Sequence, residues 1–143
     1  MYLRRLPDRM MAYWKQLSQG DRLPDYARFR SEVIGDLWSH CFSLSVLPSG
    51  EAVSFVYDYV GPGVIEAYGE DVVGKLVSAR ARGGQGDNMT TKLENVTKSK
   101  KPLVEDGTFI NRKGRAVKYR ICILPFGGEK VTNLVVGMAW QAI

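Results

Sequence analysis

The chain has 143 residues, 45% of them hydrophobic and 24% charged, with a net charge of +5. That length fits one domain able to bury roughly two-thirds of its unfolded surface, and the composition argues against disorder except at the ends. No apolar run approaches the roughly eighteen residues of a membrane span, and the opening MYLRRLPDRM lacks the apolar core of a signal peptide, so a cytoplasmic setting is expected.

Leu6, Met10, Trp14 and Leu17, with Tyr13 beside them, recur at helical spacing between Pro7 and Gly20 and predict an amphipathic helix. A helix this short is marginal alone. Its apolar stripe must pack on the rest of the domain or on a second copy, which makes Leu6, Met10, Trp14 and Leu17 the candidate dimer face. The chain around Pro24 reads as extended, and Val33, Ile34, Leu37 and Trp38 suggest a second short helix.

From His40 to Leu47, Phe42, Leu44 and Val46 alternate with Ser43 and Ser45, the pattern of a strand. Pro48, Ser49 and Gly50 turn it into an antiparallel hairpin with a second strand. There Phe55, Tyr57 and Tyr59 alternate with Ser54, Val56 and Asp58. This second strand opens the stretch that organises the chain, SFVYDYVGPGVIEAYGEDVVGK from Ser54 to Lys75. Gly61, Pro62 and Gly63 break the strand, and Val64, Ile65 and Tyr68 share one face of a short helix capped by Gly69. A strand feeding a helix across a buried aromatic face makes one wall of a pocket.

Val72, Val73 and Leu76 continue a partly helical connection that Gly83, Gly84 and Gly86 interrupt. Asp87 is the expected N-cap of a longer helix through Lys98, with Met89, Leu93 and Val96 on one side. Lys92, Lys98, Lys100 and Lys101 lie on its other side or just past its C-terminal end, where cations are favoured. Three strands follow, Leu103 to Asn111, Ala116 to Phe126 and Val131 to Ile143, turned at Arg112 to Gly114 and at Gly127 to Lys130. Leu134, Val135, Val136 and Met138 leave the last strand no polar side. It needs cover on both faces and belongs at the centre of an antiparallel sheet, in a fold of the α+β class.

This order of elements resembles a PAS domain. Tyr57 to Lys75 looks like the strand, helix and following "G.D..G" segment of that family, with Gly61, Tyr68, Gly69, Asp71 and Gly74 in the matching places, and TFINRKGRAVKYRICILPF looks like its later hairpin. The opening AYWKQLSQGDRLPDYARF is similar to a group of stand-alone alphaproteobacterial PAS-like proteins with a "YW..L..G...P" segment, matched by Tyr13, Trp14, Leu17, Gly20 and Pro24. The resemblance implies a five-stranded antiparallel sheet in the order 2-1-5-4-3, with short helices over one face enclosing a pocket. Residues 39–143 would form that core and residues 1–38 an N-terminal helical extension for packing or dimerisation. Members of the family sense small molecules, light or redox state, or serve as protein-interaction modules, and commonly dimerise through a helix outside the core. Cys41 and Cys122 would lie either side of the final strand, ~10 Å apart, too far for a disulfide.

The chemistry of the cofactor-bearing types is not matched. Flavin photosensors of this fold use a cysteine before the longer helix, and no cysteine lies between Val64 and Lys98. Haem-binding members use an axial histidine, usually on the longer helix, whereas the one histidine here, His40, opens the first strand and reads as structural. The two cysteines have no CxxC spacing, so neither metal nor disulfide scaffolding is supported. GGQGDNMTTK, residues 83–92, lacks the GxxxxGK[ST] spacing of a phosphate loop, and Asp87 would repel a phosphate, so it reads as a crossover. Glu66, Glu70 and Asp71 lack an accompanying nucleophile and orienter and read as helix solvation. Lys92, Lys98, Lys100, Lys101, Arg112, Lys113, Arg115 and Lys118 could meet the phosphates of a nucleic acid. Phe109 and Tyr119 read as core rather than as interleaved stacking groups, however, and the same charge suits an anionic small ligand or an acidic partner.

The candidate ligand site is the apolar space where Phe42, Leu44, Phe55, Tyr57, Val64, Ile65, Tyr68, Leu93, Tyr119, Ile121 and Val135 converge, with tyrosine hydroxyls as the polar handles. A fully packed core is the competing arrangement, and a one-residue slip would swap the inward set. The expectation is a bacterial, non-catalytic sensory or interaction module, homodimeric through its first helix, that binds a small apolar or anionic ligand or a partner and signals to a separate protein. A small α+β-cone enzyme of isomerase or hydrolase type is the alternative. It requires an inward carboxylate or histidine, for which Asp58, turned outward by the alternation, and His40 are the nearest candidates. A basic-face nucleic-acid binder is the third reading.

Overall fold

The computed structural model of the chain describes residues 5–18, 20, 22–77 and 89–143. Five strands, β1 (Cys41–Ser49), β2 (Ala52–Val60), β3 (Leu103–Ile110), β4 (Ala116–Gly127) and β5 (Val131–Ala142), form one antiparallel sheet in the order β2-β1-β5-β4-β3. Two helices, α1 (Leu6–Ser18) and α2 (Ser31–Ile34), precede the sheet; α3 (Pro62–Tyr68) and α4 (Met89–Ser99) lie between β2 and β3. Short 3-10 turns at Tyr26–Arg28 and Gly35–His40 lead into β1. The expected Asp87 cap and the glycines at 83, 84 and 86 lie outside the described residues.

The two-sided apolar character of β5 has the expected consequence: it is the middle strand, covered on both faces. Leu134, Val136 and Met138 face α3 and α4, on what we term the front, and Val135 faces α1 on the back. The helix α1 comes close to the sheet because the residue beneath it is Gly137. A Cβ at that position would run into the Met10 sulfur and lie 2.7 Å from Leu6 Cδ2. Leu6 and Met10 are fully buried there, each contributing roughly 1.5–3 kcal/mol of apolar burial. Trp14 donates its indole N–H to the Pro125 carbonyl at 2.7 Å. The stripe of Leu6, Met10, Trp14 and Leu17, offered by the sequence as a dimer face, packs on the chain's own sheet, with Leu6 and Met10 fully buried and Trp14 and Leu17 partly so.

One strand departs from simple alternation. In the β1–β2 pair Ser43 lies opposite Tyr59 but Leu44 lies opposite Tyr57, so Asp58 is an extra residue on β2. Phe55 and Tyr57 stay on the front, whereas Tyr59 turns to the back, stacks on Trp38 with centroids 4.3 Å apart, and donates its hydroxyl to the Trp38 carbonyl at 3.0 Å.

The β3–β4 turn is pinned to the end of α3. Asn111 is buried; its side-chain amide donates to the Ala67 carbonyl at 3.1 Å and its Oδ1 accepts from the backbone N–H groups of Lys113 and Arg115, both at 3.0 Å. Deleting these bonds leaves the buried Ala67 carbonyl and the part-buried N–H groups of Lys113 and Arg115 without their Asn111 partner. The substitution Asn111→Ala is expected to lower stability by about 2 kcal/mol in urea denaturation.

Candidate functional site

The side chains between the front of the sheet and the helices α3 and α4 form one apolar cluster, termed the front compartment. Phe42 and Leu44 come from β1, Phe55 and Tyr57 from β2, Tyr119 and Ile121 from β4, Val64 and Tyr68 from α3, and Leu93 from α4. All of these are buried in one cluster, with Ile65 packed half-buried at its margin. Val135 is not among them. It faces the back with Leu6, Met10 and Phe126, because its even-numbered neighbours Leu134 and Val136 take the inward positions of β5. Phe109, Val117, Leu134, Val136 and Met138 belong to the same cluster. Phe109 was legible as core, but strands that are apolar on both faces gave no signal for which parity points inward.

Rings run across the compartment in contact. Centroids are 5.4 Å apart for Phe42 and Tyr57, 6.2 Å for Tyr57 and Tyr68, 5.6 Å for Tyr68 and Phe109, and 5.9 Å for Phe109 and Tyr119. Tilted and edge-on pairs at these spacings add about 0.5–1.5 kcal/mol each beyond burial. Two polar pairs among the described residues reach it. The Tyr57 hydroxyl donates to that of Tyr68 at 3.3 Å. At the β3 side, the Lys92 ammonium donates to the Tyr119 hydroxyl at 2.8 Å and sits 5.0 Å from the centre of that ring. Gly107 of β3 makes this possible, since a Cβ there would strike the Tyr119 hydroxyl. At the far end, Trp140 on β5 donates its indole N–H to the Gly63 carbonyl at 2.9 Å, tying the start of α3 to the central strand.

The remaining candidates fall elsewhere. Asp58 is exposed and accepts from the Ser45 hydroxyl, and His40 lies half-buried against Gly63, so neither belongs to the front cluster. Among the described residues the buried polar ones are Ser43 and Asn111. The basic residues do not gather on one side. Lys118 pairs with Thr108 and Gln141 on the back of the sheet, opposite the side on which Lys92 meets Tyr119, and Lys100 reaches the Glu129 carbonyl in the β4–β5 turn. Lys100 lies with Arg22, Arg28, Asp25 and Glu129 around an open groove of about 960 Å³, where acids offset the cations.

Both cysteines are free and buried, on either side of Gly137 under α1. Cys41 Sγ donates to the Leu37 carbonyl at 3.2 Å and lies 3.8 Å from Met10 Sδ. Burial pushes the Cys41 thiol well above its ordinary pKa and that of Cys122 up to about 12. Neither is a thiolate at neutral pH.

The PAS domain family matches residues 5–139. The chain belongs to that family. The match takes in α1 together with the sheet, so in this PAS domain the first helix lies within the family's span. Among solved structures, this PAS domain is similar to a fungal LOV domain photoreceptor at 11% identity, covering 92% of this chain and 90% of that one, with a TM-score of 0.53. It is also similar to an RNA-binding light-oxygen-voltage receptor at 12% identity, covering 80% of this chain and 35% of that one, with a TM-score of 0.52. At these identities the likeness is one of fold. A search of curated proteins finds no match.

Proposed function

We propose that this PAS domain is a non-catalytic sensory or interaction module whose front compartment reads a small ligand or a partner and whose state is passed to a separate protein. The observation that supports this reading is the front cluster itself, an apolar set of touching aromatic rings into which, among the described residues, the Tyr57–Tyr68 and Lys92–Tyr119 pairs bring polar groups. Few polar handles in an apolar enclosure are what orient a small molecule. A thiol–flavin adduct is not part of the reading, because Cys41 and Cys122 are both on the back of the sheet and no cysteine lies between Val64 and Lys98. The free thiols favour a reducing, cytoplasmic setting.

The central strand supplies the route of output. Its residues touch α3 on one face and α1 on the other, so a ligand that favours one placement of α3 biases the seating of α1. Native mass spectrometry of the protein from its own host, compared with the denatured sample, tests the reading. A reproducible extra mass that leaves on denaturation is expected. A chain free of extra mass that also captures no partner removes the reading.

A further inference from the structure

We infer that the open groove between the 22–28 segment, Lys100 and the β4–β5 turn is a binding site for a small soluble phosphomonoester. The site stands independently of the front compartment and shares only Leu23 with that cluster. The groove has a volume of about 960 Å³, within the usual range of small-molecule sites. Arg22, Arg28 and Lys100 line it, and all three are exposed.

Two of these cations are positioned by main-chain carbonyls rather than by carboxylates. Arg28 Nη1 donates to Leu17 O at 3.2 Å, in the last turn of α1, and Lys100 Nζ donates to Glu129 O in the β4–β5 turn. Each contact uses one donor, out of five on a guanidinium and three on an ammonium. The ion pairs Arg30–Glu32, Lys75–Glu70 and Arg120–Asp106 leave Arg22, Arg28 and Lys100 without a contacting carboxylate among the described residues. Asp25 and Glu129 also line the groove, and against them the three cations keep a surplus of one. Asp25 is turned to its own backbone, its Oδ1 accepting from the Ala27 N–H at 3.1 Å. The terminal oxygens of a phosphomonoester can accept charge-assisted hydrogen bonds from an arginine and a lysine together.

The backbone of Lys100 is an independent sign. Its N–H donates to Val96 O at 2.9 Å as the cap of α4, and its φ is 62°, in the left-handed region where glycine is the usual residue. A lysine there carries a backbone cost that glycine avoids. What it supplies in exchange is an ammonium in the groove.

The test is a titration of the isotopically labelled full chain, followed by amide NMR, with AMP and glycerol 3-phosphate and with adenosine and glycerol as their uncharged counterparts. Shifts are expected at residues 22, 28, 100 and 128, with each phosphate ester binding at least about tenfold tighter than its counterpart. Lys100→Gly is expected to weaken ester binding about tenfold or more while the midpoint of thermal unfolding holds or rises, a combination that a merely structural lysine would not give. Arg28→Gln should weaken the esters in the same way, and Lys118→Met, on the back of the sheet, should leave them within about twofold. Equal binding of ester and counterpart, an unchanged affinity in Lys100→Gly, or no shift at these amides up to about 10 mM ester overturns the inference. Binding to phosphatidylcholine vesicles carrying phosphatidic acid, with no binding of either soluble ester, also overturns it.

Discussion

Replacing Gly61 by alanine is expected to lower stability by about 3 kcal/mol and the midpoint of thermal unfolding, followed by circular dichroism, by about 10 °C. Gly61 has φ −68°, which alanine adopts freely, so the effect is steric alone. A Cβ there would run into Ser39 O and lie 2.6 Å from the Ser39 carbonyl carbon and 2.9 Å from Cys41 O. These are backbone atoms at the entry to β1, and no side-chain rotation removes them. The Gly61 N–H also donates to Cys41 O at 2.8 Å, which holds the two chains at that separation. Gly128, with nothing within 4 Å of its added Cβ, is the control, and Gly128→Ala should stay within about 0.5 kcal/mol of the wild type. A Gly61→Ala variant as stable as that control would mean that the β1, β2 and α3 junction yields to half an ångström or more of separation.

Met10→Ala is expected to cost about 2–5 kcal/mol in urea denaturation and to leave sedimentation behaviour unchanged. Met10 is fully buried between Gly137, Leu6 and Cys41 of its own chain, so truncation opens a cavity beneath α1 rather than weakening a contact between copies. The two roles separate on concentration. Loss of an internal contact is independent of protein concentration, whereas a helix that pairs two copies gives a midpoint that rises with it. A concentration-dependent loss in Met10→Ala would return α1 to the interface between copies.

The element order was legible because each element carries its own pattern. Phe42 and Leu44 alternate with serines, Met89, Leu93 and Val96 share a helix face, and the double-sided apolar run of β5 demanded the centre of the sheet. What was not legible depends on partners distant in sequence. The run Leu134, Val135, Val136 has no polar residue to mark parity, so Val135 was placed on the wrong face. The extra residue at Asp58 leaves no trace in composition, yet it sends Tyr59 to the opposite side from Tyr57. The stripe of α1 announced that it packs, but not on what. The deciding residue is Gly137, more than a hundred positions away. The Lys92–Tyr119 contact joins a helix position read as solvated to a tyrosine read as core, 27 residues apart.

The placement of Cys41 and Cys122 either side of Gly137 gives the molecule a native gauge of helix docking. While α1 is seated, both thiols are shielded and protonated; they meet a thiol reagent only when the helix lifts. The labelling rate then counts lifting events of α1 from the sheet.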